Sequence, residues 1–148
     1  MSPTPRPRAV DIAFWLLVVG AVLLVVNGLM AATLNFDTAR SVADSSVSDE
    51  KLQNYLTFQR GLGIFSVVIG AVLGFLAGKT RTGDPRFRRA TIAFAVAVMV
   101  LVVAVAILFK IIHLLALVAV LPIVFGALSL TRPGVAAWFA EDPRPVDG

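Results

Sequence analysis

Residues 90–130 form a 41-residue apolar stretch that is interrupted near its middle by a short cluster containing Lys110 and His113. Residues 90–109 carry no charged side chain, and residues 111–130 are nearly as apolar. The hydrocarbon core of a bilayer is about 30 Å thick and takes roughly 20 apolar residues in a helix. The stretch therefore predicts two membrane-spanning helices that are folded into a hairpin.

The composition of the whole chain agrees with a membrane protein. Of the 148 residues, 58% are hydrophobic and 15% are charged, whereas soluble domains average about half and about a quarter. The chain has no cysteine and one histidine, which excludes disulfides and thiolate or multi-histidine metal sites within one chain. The sequence shows no paired acids in one span, no nucleophile beside a base and no glycine-rich phosphate loop. We therefore predict a non-enzymatic protein without metal or cofactor.

Two further apolar runs, at residues 12–34 and 61–78, complete the predicted set of spans. Lipid offers no water to backbone N–H and C=O groups, so each span must be a helix. The sequence thus predicts an all-α integral membrane protein, a bundle of four transmembrane helices at residues 12–34, 61–78, 90–109 and 114–130. A cleaved signal peptide over residues 1–32 is disfavoured, because the apolar run is too long and lacks a small-x-small site.

The distribution of lysine and arginine predicts the orientation of the bundle. Nine of the 13 basic residues lie in the tails, residues 1–11 and 131–148, and in the loop at residues 79–89. The other four lie in the loop at residues 35–60 and the short turn at residues 110–113. We expect both termini to be cytoplasmic. The net charge of +4 is then a signal of topology, and no nucleic-acid partner is expected.

Several boundaries carry recognisable local signals. Gly83 follows the second span, and Asp84 followed by Pro85 predicts an N-cap and a first helical residue. Ser48 followed by two acidic residues predicts another helix start, so the outer loop at residues 35–60 is expected to be partly helical. The turn at residues 110–113 contains none of the usual turn formers, which leaves its geometry open.

The second span carries the clearest packing signal, the tandem GxxxGxxxG of Gly70, Gly74 and Gly78. Small residues allow helix backbones to approach each other in a bilayer. Read in heptads, one face of this helix comprises Leu52, Leu56, Gln59, Gly63, Ser66, Gly70, Leu73 and Ala77. The predicted packing or partner face comprises Leu52, Tyr55, Leu56, Gly63, Ser66, Gly70, Gly74 and Gly78. Two interpretations stay open: packing against the chain's own first or fourth helix, or docking of another protein or a second copy.

Two residues inside the other spans stand out. Asn27 is the only strongly polar side chain well inside a span, and we expect it to form an interhelical hydrogen bond, with a ligand or ion contact as the alternative. Pro122 removes the hydrogen bond to the Val118 carbonyl and predicts a kink in the fourth helix. After this span, Val135, Trp138 and Phe139 indicate a short helix lying on the membrane surface.

The polar residues of two turns carry weaker hypotheses. Lys110 and His113 are expected at the outer turn, where a histidine paired with a carboxylate would titrate near physiological pH. Arg86, Arg88 and Arg89 belong to a loop with five basic residues in eleven. We predict that these three arginines contact anionic lipid headgroups. The alternative explanation is that the basic residues only determine the orientation of the protein in the membrane.

The start of the chain resembles a known type of membrane protein. Residues 6–10, Arg-Pro-Arg-Ala-Val, followed by residues 13–16, Ala-Phe-Trp-Leu, are similar to the opening of small four-helix membrane proteins of actinobacteria, mycobacteria included. The resemblance implies a location in the bacterial plasma membrane and brings no functional residues with it. Small multidrug transporters also have four helices, but they carry an essential glutamate in the first helix, which this chain lacks.

The function expected from these features is that of an accessory or scaffold subunit of a larger membrane complex. The spans contain few polar groups, and a long small-residue face is available for a partner helix. The alternative is a small homo-oligomeric transporter or channel. Such a protein needs a polar path, for which the chain offers Asn27, Gln59, Ser66 and His113.

Overall fold

The computed structural model of the chain describes residues 4–110 and 113–141. Within these ranges it contains six helices and no strand: α1 (Arg8–Thr33), α2 (Phe36–Val42), α3 (Asp49–Thr80), α4 (Pro85–Phe109), α5 (Leu114–Leu130) and α6 (Pro133–Ala140). The predicted tails and the predicted turn at residues 110–113 fall partly outside the described residues, at residues 1–3, 111–112 and 142–148.

In the described part of the chain, α1, α3 and α4 are each long and apolar enough to cross a membrane. The 17 residues of α5 extend about 26 Å, somewhat less than the roughly 30 Å of a hydrocarbon core. Together with α6, from which it is bent by 61°, α5 makes a fourth candidate span. The chain is therefore all-helical in the described residues and has three to four apolar candidate spans.

The four long helices form a bundle in which α1 packs along α3 and α5, and α4 packs along the same two helices. Going round the bundle, the order is α1, α3, α4, α5. We call the end with the start of α1, the α3–α4 connection and α6 the terminal end, and the end with α2 and the α4–α5 connection the distal end. Fully buried side chains in the core include Leu17, Leu73, Ile123 and Leu130.

Small residues bring α1 very close to both of its neighbours. A methyl group on Gly63 of α3 would lie 2.5 Å from the carbonyl oxygen of Gly28 of α1. On the other side, a Cβ on Gly126 of α5 would lie 2.8 Å from Cγ of Leu17. Such close approach maximises van der Waals contact, which is a main source of helix association where water is absent.

The buried face of α3 consists of Leu52, Leu56, Gln59, Gly63, Gly70, Leu73, Ala77 and Thr80. Seven of these eight positions belong to the heptad face described above, and most of that face lies against α1. The helix is continuous over 32 residues and about 48 Å. It therefore includes the second half of the loop predicted at residues 35–60 as well as the span predicted at residues 61–78.

Helix caps form at the predicted starts of α3 and α4. The Ser48 hydroxyl accepts a hydrogen bond from the backbone N–H of Lys51, and the Asp84 carboxylate accepts one from the backbone N–H of Arg86. Gly83 has a φ of 81°, a left-handed conformation that costs glycine little. This residue lets the chain reverse between two long helices within a few residues.

The helix α2 covers part of the distal end. Its N-cap is Asn35, whose side chain accepts a hydrogen bond from the Thr38 N–H at 2.8 Å. Ala39 packs with Leu52 and Leu56 in a small apolar cluster that is separate from the main core. The first turns of α3 thus have an apolar neighbour beyond the four-helix bundle.

The helix α6 packs on the bundle through two of the residues that predicted an interfacial helix, and its position at a membrane surface stays a prediction. Val135 and Phe139 are only 1% and 2% exposed and belong to the main core. The chain turns sharply at Pro133, so α6 returns against α4 and α5. Its apolar side chains bury core residues that would otherwise be exposed at the terminal end.

Candidate functional site

Fully buried residues of α4 occur along its first half only. Its buried residues are Thr91, Ala95 and Val98, and none lies among residues 99–109. At the far end, the ring of Phe109 contacts the ring of Phe58 of α3, with 4.8 Å between centroids. Between these two contact regions, α4 is only partly covered by its neighbours: Val102 packs against the main core, while Val103 and Ile107 are exposed.

The space beside this part of α4 is a partly open cavity of about 110 Å³ in the distal half of the bundle. All four long helices contribute to its walls. Most of the lining is apolar: Leu24, Ala31, Leu62, Phe65, Ile69, Val98, Leu101, Val102, Val105, Ala106, Ala116 and Leu117, together with Gly63. The polar lining residues are Asn27, Ser66 and His113, and no acidic, lysine or arginine side chain of the described residues lines the cavity.

Two of these polar residues differ in how their hydrogen bonds are satisfied. The Ser66 hydroxyl of α3 donates to the Leu24 carbonyl of α1 at 2.8 Å. Asn27 is half-buried, and its side-chain amide has no hydrogen-bond partner among the described residues. Within that part of the chain, the interhelical bond expected of Asn27 is made by Ser66 instead, and the Asn27 amide remains available to a molecule in the cavity.

The third polar residue, His113, is bonded to Gln59 rather than to a carboxylate. The two side chains meet through their Nε2 atoms at 3.2 Å. With the Gln59 amide nitrogen as donor, His113 Nε2 is the acceptor, a role that requires a neutral imidazole. Burial lowers the pKa of His113 below its ordinary value, in agreement with a neutral ring.

Gln59 is itself nearly completely buried, with 6% of its surface exposed. Its Oε1 atom has no hydrogen-bond partner in the described part of the chain. A buried polar atom without a partner costs about 1–3 kcal/mol. The distal end therefore holds two polar side chains, Gln59 and Asn27, with unused hydrogen-bonding capacity.

The terminal end is held together by a different set of polar contacts. The Asp11 carboxylate of α1 lies 3.1 Å from the Arg6 guanidinium and 3.5 Å from that of Arg81. The Arg81 guanidinium also lies 4.6 Å from the centroid of the Phe14 ring. These contacts join the N-terminal tail, α1 and the α3–α4 connection. Because the groups are about 40% exposed, each ion pair is worth less than about 1 kcal/mol.

The three arginines predicted to contact lipid headgroups have different surroundings. Arg88 is half-buried, donates from Nε to the Leu130 carbonyl at 2.9 Å and lies over the Phe139 ring. Arg86 and Arg89 are exposed. Sequence reasoning missed the role of Arg88 because its partner is a backbone carbonyl 42 residues away, which no side-chain pattern reveals.

The glycines of α3 also separate into two groups. A Cβ on Gly70 would meet Cγ2 of Val25 at 2.7 Å, whereas one on Gly74 would meet only the Cβ of Ala21 at 3.9 Å, and one on Gly78 would meet nothing within 4 Å. Positions four apart drift by about 40° round a helix with 3.6 residues per turn. The GxxxGxxxG sequence therefore winds from the α1 interface to the outer surface.

The remaining predicted residues lie outside the cavity. Tyr55 is 42% exposed on the surface of α3. Lys110 is exposed and ends α4 in a left-handed conformation with a φ of 52°, which is uncommon for a residue other than glycine. Pro122 is half-buried, and α5 continues through it as one helix.

These features define an all-helical protein with three to four apolar candidate spans and a partly open apolar cavity that contains a few polar groups. No protein-family model, curated protein or solved structure matches this chain. The function must therefore be argued from the geometry of its own residues.

Proposed function

We propose that this chain is a non-enzymatic protein of the bacterial plasma membrane that spans the bilayer four times and acts as an accessory subunit of a larger membrane complex. The terminal end carries Arg6, Arg81, Arg86, Arg88 and Arg89, and this concentration of basic residues supports a cytoplasmic position for both termini. The distal end, with α2 and the first turns of α3, would then face the extracytoplasmic side.

The observation that carries the proposal is a strip of small residues on α3 that the chain itself does not use. The strip consists of Ala71, Gly74 and Gly78. Ala71 and Gly78 are exposed, and Gly74 is half-exposed with little from its own chain beside it. Glycine inside a helix costs about 1 kcal/mol relative to alanine in water, and here two helical glycines share one uncovered strip with Ala71, whereas a single isolated glycine such as Gly61 does not. A transmembrane helix of a different protein could approach the α3 backbone closely along this strip.

Gly70 does not belong to this strip, because α1 already fills the space beside it. A test of partner binding must therefore leave Gly70 unchanged, since a larger residue there would disrupt the bundle itself. The appropriate variant combines Gly74→Leu with Gly78→Leu. The matched control is Gly61→Leu, a helical glycine near the distal end of α3 where an added Cβ would also meet nothing within 4 Å.

The experiment is purification of the tagged full chain from its native membrane in a mild detergent, followed by mass spectrometry of the proteins that accompany it. We expect one foreign membrane protein in stoichiometric amount, reduced about tenfold or more by the double variant, which corresponds to about 1.4 kcal/mol of lost binding free energy. The Gly61→Leu control should retain it. Unchanged recovery with the double variant, or no stoichiometric foreign protein with the native chain, would contradict the proposal.

The alternative, a small homo-oligomeric transporter or channel, requires a polar path across the membrane. The polar groups Asn27, Gln59, Ser66 and His113 all lie in the distal half of the bundle. The terminal half is closed by apolar side chains with no exposed surface: Leu17, Leu73, Ile123 and Leu130. This closure favours the accessory role over transport through a single bundle. A purified homo-oligomer with liposome ion flux that Asn27→Leu abolishes would favour the alternative.

A further inference from the structure

We propose that the cavity beside the second half of α4 binds an uncharged amphiphile, by taking up its hydroxyl or primary amide group together with a short length of its hydrocarbon. This inference goes beyond the accessory role and rests only on the membrane insertion that is part of the proposed function. It rests on the size and lining of the cavity, on the polar groups that converge there and on the position of α4.

The size and lining of the cavity suit part of a small apolar molecule. Its volume is about 110 Å³, compared with about 150 Å³ for an apolar protein cavity that holds benzene. Because the cavity is partly open, a longer molecule can place one end inside and leave the rest in the surrounding lipid. Ligand sites typically combine such a mainly apolar wall with a few polar groups that fix the orientation.

The polar groups define which end of the ligand enters. Asn27 offers two N–H donors and a carbonyl acceptor that have no partner among the described residues. The Ser66 hydroxyl has its proton directed to the Leu24 carbonyl, so its oxygen can still accept a hydrogen bond. A ligand group that both donates and accepts, such as a hydroxyl or a primary amide, therefore matches these two side chains.

The absence of charged side chains from the lining, as far as the described residues form it, favours an uncharged ligand, because an ion buried without a partner is strongly disfavoured. Water is the competing occupant, and at about 30 Å³ per molecule the space would hold about three to four. Each buried water needs two to four polar partners, however, and most of the cavity wall is hydrocarbon. An amphiphile satisfies the polar groups and the apolar wall together.

The bilayer provides the route into the cavity. Residues 99–109 of α4 are half-buried or exposed and none is fully buried, and the cavity beside them is partly open. Hydrocarbon in the same half of the membrane can approach the space between α4 and its neighbours without crossing the closed terminal half. The occupant is accordingly a lipid-soluble molecule.

The test uses photoreactive decanol, an uncharged ten-carbon alcohol carrying a diazirine, with the full chain in lipid nanodiscs. Mass spectrometry of peptides after illumination gives the ratio of label on cavity-lining residues to label on outward-facing residues of the same molecules. Ala106→Trp fills the cavity from α4, and Ala97→Trp, on the exposed face of the same helix, is the matched control. Asn27→Leu removes the polar anchor while keeping a similar volume.

For the native chain we expect a ratio well above one. Ala106→Trp should reduce it about tenfold, which corresponds to a loss of about 1.4 kcal/mol, and Ala97→Trp should leave it unchanged. Asn27→Leu should reduce it about fivefold, as expected for one hydrogen bond. Photoreactive decanoate at pH 8, whose ionised end the uncharged lining disfavours, should give a ratio about tenfold below that of the alcohol.

Three results would overturn the proposal. One is a native ratio near one, which indicates a cavity that holds only water or remains empty. Another is a labelling ratio that is unchanged by Ala106→Trp, provided that the variant still unfolds cooperatively. The third is equal labelling by the alcohol and the carboxylate. If Ala106→Trp does not fold, Ala116→Leu fills the same cavity from α5 and is judged by the same criteria.

Discussion

Gly28 and Gly63 face each other across α1 and α3, and neither position has room for a side chain. A methyl group on Gly63 would lie 2.5 Å from the Gly28 carbonyl oxygen, and a methyl group on Gly28 would clash equally with the Gly63 carbonyl oxygen. The atoms in the way are backbone atoms, which cannot move aside as a flexible side chain can. This contact fixes the separation of the two helices near the distal end.

We expect Gly63→Ala to destabilise the bundle by about 1–3 kcal/mol, the usual cost of forcing an extra methyl group into a packed interface. Unfolding of the purified chain in detergent, by heat or by titration with a denaturing detergent, measures the change. The matched control is Gly61→Ala, two residues away in the same helix with open space around it. It should be neutral or stabilising by up to about 1 kcal/mol. Equal effects of the two substitutions would show that the contact is not needed.

The hydrogen bond from Ser66 to the Leu24 carbonyl predicts a second difference between paired variants. Ser66→Ala removes a bond between two helices at 2.8 Å and should cost about 0.6–2 kcal/mol. Ser129→Ala is the control, because the Ser129 hydroxyl bonds the Phe125 carbonyl of its own helix. The same unfolding measurement should show a smaller loss for Ser129→Ala, and the reverse order would contradict the assigned role of Ser66.

Much of the fold follows from local chemistry and could be predicted from the sequence. The caps at Ser48 and Asp84 mark the starts of α3 and α4, and Gly83 supplies the left-handed residue between them. The heptad pattern of α3 identified nearly all of its buried face. Apolar and small residues recur on that face at helical spacing, whereas larger or polar residues occupy the other positions. Residues 114–130, expected as one apolar helix, are the residues of α5.

The candidate site could not be predicted in the same way. The sequence of α4 is apolar on all sides through residues 90–109, so it does not distinguish an inward face or show which residues line a cavity. The pairing of Gln59 with His113 joins residues 54 positions apart. Both features depend on how whole helices are placed, which periodicity within one helix does not determine.

The partial burial of His113 predicts the direction of the pH dependence of stability. Burial lowers its pKa in the folded chain below the ordinary 6.5, so the unfolded chain binds a proton more readily. This contribution to stability is present above about pH 6.5 and is lost as the pH falls from there through the lowered pKa. The midpoint of thermal unfolding in detergent should therefore be lower at pH 5.5 than at pH 7.5.

The chain has a single histidine, and unperturbed carboxyl groups titrate below about pH 4.5, so a variant can isolate the effect. His113→Gln should remove most of the difference between pH 7.5 and pH 5.5. A midpoint that rises on acidification, or a pH dependence that is unchanged in His113→Gln, would contradict the lowered pKa of His113.

The three arginines of the α3–α4 region should separate into one structural residue and two surface residues. Arg88→Gln loses the hydrogen bond to the Leu130 carbonyl and the contact with the Phe139 ring, and should reduce stability by about 1–2 kcal/mol. Arg86→Gln combined with Arg89→Gln alters exposed side chains only and should change stability by about 0.5 kcal/mol or less.

Lipid binding should show the opposite order. Each basic residue near an anionic membrane surface contributes about 1 kcal/mol. The double variant of Arg86 and Arg89 should therefore reduce the amount of retained phosphatidylglycerol by a factor of at least about ten. Native mass spectrometry of the chain released from mixed-lipid nanodiscs measures that retention. Arg88→Gln should bind the lipid nearly as the native chain does, because its guanidinium is directed to protein groups. If the double variant binds phosphatidylglycerol like the native chain, the basic residues of this region serve orientation alone, and headgroup contact by Arg86 and Arg89 is wrong.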